Sequence, residues 1–333
     1  MTAREASVLY DVPGPRARRI TVVSSVVAGA LLLWALYAWV YRPLDARGQF
    51  AYDLWGPLVD PSNAAFPLVW QRLGLGFRHT LVAAALAILA SLVLGTALGV
   101  LRFRLADLAR GPRPRLRTPG VPVARRVPVV LWYGTERGIG AVSRVFVEFF
   151  RGLPVLITIF FTAGILSEYG VRTQPLYYLV VGLTLYNMVV IGEILRSGMA
   201  NLPRGQQEAA EALGLSGLQT VLTILLPQSY RVMLPALISQ VVVVLKDTSL
   251  GFIISYEEVL RVGGQLIQNL GNPIQVYAVI AVIYIGVNYV ISRLAVYAQR
   301  RIARGRKTPP GAAVPLVTEP GGDVEAGVRG EAA

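Results

Sequence analysis

The sequence predicts an all-α integral membrane protein with six transmembrane helices. Hydrophobic residues make up 54% of its 333 residues and charged residues only 15%, against about 25% charged residues in soluble domains. Six apolar stretches are long enough, alone or with their flanks, to cross a hydrocarbon core, which takes about 20 helical residues. The segments between these stretches alternate between many and few basic residues, as in multi-spanning membrane proteins.

Four stretches predict spanning helices directly. They contain 18 to 21 residues without a charge and cover residues 20–40, 81–101, 175–192 and 274–292. The first follows several arginines, as a signal peptide would, but it is longer than an h-region and no small-residue cleavage site follows it. We therefore expect residues 20–41 to remain as an additional membrane anchor.

Two further stretches span only if charges enter the membrane. Residues 153–166 are too few, so their helix is expected to begin near Ala141, with Pro154 breaking it. Residues 232–256 are sufficient only if Lys246 and Asp247 lie inside the span. Charges at such depth are costly and normally face a protein interior or a watery cavity.

The basic residues predict the orientation. Segments 1–19, 102–137, 196–231 and 293–333 hold 23 of the 32 basic residues, and the segments on the opposite side hold six. Both termini are therefore expected in the cytoplasm. Segment 1–19 is then cytoplasmic and segment 42–78 extracytoplasmic. The cytoplasmic tail 300–333, with its Pro, Gly and acidic residues, is predicted to be disordered.

The net charge of +13 does not indicate nucleic acid as a partner, because the arginines follow the flanks of the spans. The Arg/Pro-rich cytoplasmic loop at 102–138 either only fixes the topology or attracts anionic headgroups of membrane lipid.

Composition excludes several kinds of chemistry. The sequence has no cysteine and one histidine, His79, which excludes disulfide frameworks, Cys/His zinc sites and histidine-based triads. A P-loop needs Gly-Lys followed by Ser or Thr, whereas Lys246 and Lys307 follow Leu245 and Arg306. We expect no catalytic residue, no metal site and no ATP hydrolysis by a P-loop in this chain.

The loop at 201–227 predicts two short helices. The first is expected to end at Gly214, a natural C′ residue. The second begins with Ser216 and Gln219 at the spacing of a capping box. Its apolar residues recur at i, i+3, i+4 and i+7 and are Leu218, Val221, Leu222 and Leu225. We expect this amphipathic helix to end at Pro227.

The same loop resembles the EAA loop of bacterial ABC importer permeases at every defined position. Glu208-Ala209-Ala210, three residues, Gly214, nine residues and Ile224-Leu225-Leu226-Pro227 have that spacing. In that family the loop docks a helix into a groove of a separate ATPase subunit. The resemblance implies an ATPase-coupling role for Gly205, Glu208, Ala209, Ala210, Gly214, Ile224, Leu226 and Pro227.

Further motifs narrow the resemblance to polar amino acid uptake permeases. They lie at 149–154, 186–187, 193–198 and 245–250. Residues 79–299 thus resemble the five-helix core of a type I ABC importer permease, preceded here by one extra span. The opening at 9–19, the extra span and the enlarged loop at 102–138 are similar to actinobacterial glutamate permeases of the D type.

The resemblance also implies partners and a location. They are a second, homologous C-type permease chain, two ATPase subunits that hold ATP and Mg, and an extracytoplasmic amino-acid-binding protein, in a bacterial cytoplasmic membrane. The chain itself is expected to bind no cofactor. Glutamate is the expected substrate, with glutamine, arginine or cystine as alternatives. An uncoupled channel or membrane scaffold is the alternative from another class, and the EAA spacing argues against it.

The candidates for the substrate pathway are polar residues in or beside the spans: Arg151, Glu193, Lys246, Asp247, Thr248 and Ser249. Arg151 shares one helix face with Arg144 and Glu148, so Glu148 either pairs with one of these arginines or lies in an electropositive wall. Glu193 either pairs with Arg196 or receives a substrate ammonium.

Adjacent helical residues point about 100° apart, so Lys246 and Asp247 each need a partner of their own. Lys246 is predicted about 21 Å into the membrane from residue 232, where it either captures substrate or pairs across helices. Thr248 and Ser249 either donate to a carboxylate or bond their own backbone.

Overall fold

The computed structural model describes residues 14–110 and 123–304, and every regular element within these residues is helical. This confirms the predicted fold class. The α-helices are α1 (Pro15–Leu36), α2 (Arg42–Ala46), α3 (Tyr52–Val59), α4 (Phe66–Arg110), α5 (Val123–Gly152), α6 (Val155–Glu168), α7 (Pro175–Ala200), α8 (Gly205–Ala212), α9 (Gly217–Thr220), α10 (Leu226–Asp247), α11 (Val259–Leu270) and α12 (Pro273–Arg304). Shorter helical turns connect some of them: π turns at Tyr37–Tyr41 and Val221–Leu225 and a 3₁₀ turn at Thr248–Ile254.

The described residues provide six crossings when one bent pair of helices is counted as a single span. Five continuous stretches are long and apolar enough to cross a membrane: Pro15–Ala46, Phe66–Ala109, Pro175–Ala200, Gly217–Ile254 and Pro273–Leu294. The sixth is the pair Gly134–Gly152 and Val155–Glu168, bent by 110°. Each of the six predicted stretches thus finds a helical counterpart.

The third span is broken where the sequence predicts, but its first helix is longer than expected. The sequence predicts a helix that begins near Ala141 and is broken at Pro154, whereas α5 begins at Val123. In the structure Pro154 has extended backbone, with φ −60° and ψ 136°, and α6 starts after it. Pro restricts the residue before it and donates no backbone hydrogen bond. The chain therefore changes direction steeply, and Arg144, Glu148 and Arg151 lie on α5, outside the apolar α6.

Helix α4 is longer than the charge-free stretch that predicts it. Its 45 residues extend beyond residues 81–101 at both ends. Arg, Leu and Ala are good helix formers, so the polar residues after 101 continue the helix. Both ends of the expected loop at 102–138 are thus helical, at 102–110 and 123–138. Residues 111–122, the first 13 residues and the tail beyond 304 lie outside the described residues.

The centre of the bundle is the crossing of α4 and α7, the most extensive helix pair among the described residues. A Cβ on Gly99 would lie 2.7 Å from the carbonyl oxygen of Gly192. A Cβ on Gly95 would lie 2.9 Å from the Met188 carbonyl oxygen, one turn away. Small residues four apart let helix backbones approach closely inside a membrane, where dispersion contacts stabilise the pair.

The segment between the first two spans packs onto the start of α4 and of α12. Leu58 is buried in one apolar cluster with Leu73 and Val276. Side-chain amides fix the backbone of this segment, since Asn272 donates to the Leu54 carbonyl at 2.7 Å and Gln275 to that of Gln49 at 2.6 Å. In contrast, no residue of α1 is buried, so the additional span does not pack into the bundle.

The connection from the fifth span to α11 is anchored on α4. The Tyr256 hydroxyl donates to the His79 carbonyl at 2.9 Å, and Thr80 Oγ1 accepts from the Val259 backbone N–H at 3.3 Å. Glu258, fully buried, caps α11 by accepting two backbone N–H bonds. Burial raises the pKa of Glu258 to about 7, against the opposing effect of these donors.

The close α4–α7 crossing predicts that a methyl group added at the crossing destabilises the chain, whereas one added on α1 does not. Gly99→Ala should destabilise the purified chain by about 1–3 kcal/mol, because its methyl group forces two backbones apart. Gly29→Ala is the matched control, because a Cβ at Gly29 meets nothing within 4 Å. The midpoint of thermal unfolding in detergent measures both. Equal midpoints for the two variants would contradict the close crossing.

Candidate functional site

The first helix of the loop at 201–227 ends as the sequence predicts. Helix α8 is followed by Gly214 with φ +75°, in the left-handed region. The Gly214 N–H donates to the Glu211 carbonyl at 2.9 Å and the Leu215 N–H to the Ala210 carbonyl at 3.1 Å. These two bonds form a complete Schellman motif. The chain reverses here because glycine tolerates the left-handed conformation.

The second helix begins as predicted and ends much later. The Ser216 and Gln219 side chains make the reciprocal bonds of a capping box at the start of α9. The helix does not end at Pro227, because the π turn at Val221–Leu225 leads directly into α10. Pro227 lies in the first turn of α10. A wider π turn makes room for the proline ring that an α-helical interior would reject.

The predicted apolar stripe of this helix is divided between two surroundings. Val221 and Leu225 are buried with Phe103 of α4 and Met199 of α7. Leu218 and Leu222 are exposed, as is Leu213 at the end of α8, with 80% of its surface accessible. The loop is therefore anchored through one face and leaves other apolar side chains uncovered within this chain.

The residues of the EAA spacing are likewise divided into buried or half-buried residues and exposed ones. Ala210 is buried, and Ile224 and Leu226 are half-buried against the Phe103 cluster. The exposed members are Gly205, Glu208, Ala209, Gly214 and Pro227. Among the described residues, the Glu208 carboxylate forms no ion pair. The carboxylate and the small Ala209 are thus open to a partner surface.

A polar brace from α4, which the sequence does not predict, holds the loop. Gln207 donates to Asp107 Oδ1 at 3.0 Å, and Arg104 pairs with Asp107 Oδ2 at 2.9 Å. Arg104 also lies against Gly217, where any Cβ would collide with its guanidinium. Asp107 and Gln207 are 100 residues apart, so no local pattern signals their contact.

Among the candidates for the substrate pathway, Glu193 has its partners inside this chain. It pairs with Arg196 on its own helix at 3.0 Å, as one of the two expectations states, and also with Arg102 of α4. Both carboxylate oxygens accept from guanidinium groups. This ion triad leaves Glu193 occupied and ties α4 to α7.

Lys246 has a different environment. It is exposed within this chain and lines an open-sided cavity of about 610 Å³ between α10 and α12, together with Ser249, Tyr277, Tyr284 and Asn288. Its ammonium group forms no ion pair with any residue that the structure describes. The Tyr284 hydroxyl and Asn288 Oδ1 are buried and form no hydrogen bond of normal geometry with a described residue, although the hydroxyl lies close to Thr80, Glu258 and Ser249. The cavity therefore offers one cation and unsatisfied polar atoms.

The remaining candidates are dispersed. Thr248 is buried and donates to the Leu245 carbonyl at 2.6 Å, and Ser249 donates to the Lys246 carbonyl at 2.7 Å, so both bond their own backbone. Asp247 is half-buried and Arg151 is exposed. Glu148 forms no ion pair with Arg144 or Arg151 in the described part of α5 but interacts with Arg102 of α4, so the electropositive wall stays a prediction.

Comparison with known proteins identifies the family. The model of the family described as binding-protein-dependent transport system inner membrane component matches residues 134–304. The glutamate transport system permease protein GluD of Corynebacterium glutamicum is 36% identical, over 79% of this chain and 85% of GluD. The probable glutamine ABC transporter permease protein GlnP of Bacillus subtilis is 32% identical, over 66% of this chain and 88% of GlnP.

A solved structure of an amino acid ABC transporter has the same fold. It aligns with a TM-score of 0.55 at 20% identity, over 71% of this chain and 97% of the solved chain. The chain therefore belongs to the family of binding-protein-dependent transport system inner membrane components, and it is a membrane translocation subunit rather than an enzyme.

Proposed function

We propose that this chain is the glutamate-translocating permease subunit of an ABC importer, and that Lys246 contacts the substrate. The unpaired ammonium group in the cavity between α10 and α12 is the observation that carries this proposal. The 36% identity to a glutamate permease supports it. Glutamine is the second candidate, because the 32% identical relative is a probable glutamine permease.

The proposed role of Lys246 follows from the cost of its position. An ammonium group inside a membrane costs free energy unless a partner compensates its charge. None of the described carboxylates forms an ion pair with it, and the adjacent Asp247 interacts with it only at longer range. An acidic amino acid carries two carboxylates, one of which can pair with Lys246 while the Tyr284 hydroxyl donates a hydrogen bond to it. Substrate would thus supply an ion-pair partner that no described carboxylate provides.

The proposed coupling site is the exposed part of the loop at 201–227. An importer of this family works with ATPase subunits and a binding protein. We propose that the ATPase subunit contacts Glu208, Ala209 and the exposed Leu213 and Leu218. Buried Ala210, Val221 and Leu225 and the α4 brace would pass its movement to the bundle. ATP and Mg then belong to the ATPase subunits, and a homologous C-type chain completes the pathway.

The orientation proposed from the arginines, with both termini in the cytoplasm, predicts a labelling pattern. The chain has no cysteine, so a single introduced cysteine gives a labelling signal without background from native cysteines. Ser167→Cys and Asn269→Cys should react with an impermeant thiol reagent applied to sealed cells, and Ser216→Cys only after permeabilisation. Both Ser216 and Asn269 are exposed, which makes them matched sites. Labelling of Ser216→Cys in sealed cells would contradict the orientation.

Gly214 provides a test of coupling. Gly214→Val should lower uptake and ATPase association, because a β-branched residue in the left-handed region costs about 1–2 kcal/mol and loosens the Schellman turn. Gly214→Asn is the control, because asparagine tolerates the same backbone conformation. Uptake in vesicles and copurified ATPase are measured for both. Full coupled uptake by Gly214→Val would refute the assigned role of the turn.

Lys246 provides a test of substrate contact. Lys246→Met should reduce glutamate transport per assembled complex, by about tenfold or more if a charge-assisted bond of 1.5–3 kcal/mol is lost. Lys246→Arg keeps the charge and should retain more activity. Complex assembly is measured in parallel to detect misfolding. An unchanged apparent affinity and rate per complex would exclude Lys246 as a binding residue, and preferential uptake of glutamine would favour the second candidate.

A further inference from the structure

A second cavity, of about 530 Å³, lies at the end of the bundle that carries the loop. It is enclosed by the last two turns of α4, by α5 and by one side chain of α7. Four arginines line it: Arg102, Arg137, Arg144 and Arg196. They come from three helices that are remote in sequence, so the fold itself brings these guanidinium groups together.

The positive charge of this cavity is only partly compensated. The single carboxylate of Glu193 forms ion pairs with both Arg102 and Arg196. Arg137 and Arg144 form no ion pair with any described residue. Arg102 interacts with the like charges of Arg144 and Arg196 as well as with Glu193. Glu136 is the acidic residue of the lining, and Glu193 and Glu148 also act on Arg102, so four positive charges face three negative ones. An anion bound here would relieve this repulsion.

The other walls of the cavity are apolar. Leu105, Leu108 and Ala109 of α4 form one of them. Outside the cavity, α5 exposes Ile139, Val142, Val145 and Phe149. These residues recur every three or four positions, so they form one stripe of the helix. Helix α5 is bent by 110° from α6, which packs on the spanning helix α7. Basic residues beside an apolar stripe suit the membrane edge at which this broken span begins.

We propose that the arginines of this cavity bind the phosphate group of an anionic glycerophospholipid. Guanidinium groups bind phosphate oxygens in bidentate fashion, and the apolar wall accommodates the start of an acyl chain. Glu136 Oε1 is buried and accepts no hydrogen bond from the described residues, so a hydroxyl of a glycerol headgroup can donate to it. Free phosphate shares the guanidinium chemistry but leaves the apolar wall uncovered.

The test uses the full complex with phosphatidylglycerol as the probe. Wild type and the double variant Arg137→Gln/Arg144→Gln are placed in phosphatidylcholine nanodiscs with increasing phosphatidylglycerol, and retained lipids are counted by native mass spectrometry. The double variant should retain at least one phosphatidylglycerol fewer and weaken apparent affinity about tenfold or more. These two arginines are chosen because the Arg102–Glu193–Arg196 triad stays intact, and the yield of assembled complex verifies folding.

Two controls separate the alternatives. Arg42→Gln/Arg47→Gln removes the same charge from exposed positions between the first two spans and should leave lipid retention unchanged. Inorganic phosphate added to phosphatidylcholine nanodiscs tests the other source of the anion, through the thermal midpoint of the complex. Stabilisation by inorganic phosphate without retention of phosphatidylglycerol would overturn the lipid assignment. Equal lipid retention by the wild type and the Arg137/Arg144 variant would overturn the site.

Discussion

The close approach of α4 and α7 at Gly95, Gly99 and Gly192 is the constraint on which the rest of the structure depends. Helix α4 anchors another segment of the chain at each of its two ends. At one end it holds the start of α11 through His79 and Thr80. At the other end Phe103, Arg104 and Asp107 hold the loop. A change in the separation of α4 and α7 would therefore displace both ends.

Local chemistry explains what could be predicted from the sequence. Absence of charge over about 20 residues identifies a span, and Gly214 and Ser216 signal a helix end and a helix start without knowledge of the fold. The extension of α4 beyond residue 101 was missed because charge marks where a span ends but not where its helix ends. The continuation past Pro227 was missed because a π turn leaves no clear sequence signal.

The side-chain partners were harder to predict, because partners are non-local. The i, i+3 spacing of Glu193 and Arg196 predicts their pair as one of two alternatives. Arg102 is 91 residues from Glu193, so spacing cannot predict its contact. For Lys246, the sequence predicts a depth in the membrane but not the direction in which the side chain points. The two sites now illustrate opposite solutions to the cost of polar groups in a membrane. Glu193 is compensated by two arginines of the chain, whereas Lys246 forms no ion pair with a described residue and faces a cavity.

The continuity of α9, the π turn and α10 has a mechanical consequence. Residues 217–247 form one rod about 45 Å long, attached to α7 at two heights. Ser229 donates to the Leu195 carbonyl at 3.0 Å and Gln240 to Asn187 Oδ1 at 2.7 Å. We therefore expect a push on the loop to move α10 together with α7, and with α4 through the glycines, as one block. The hinges of this block are then the bent connection at Pro154 and the turn after Asp247.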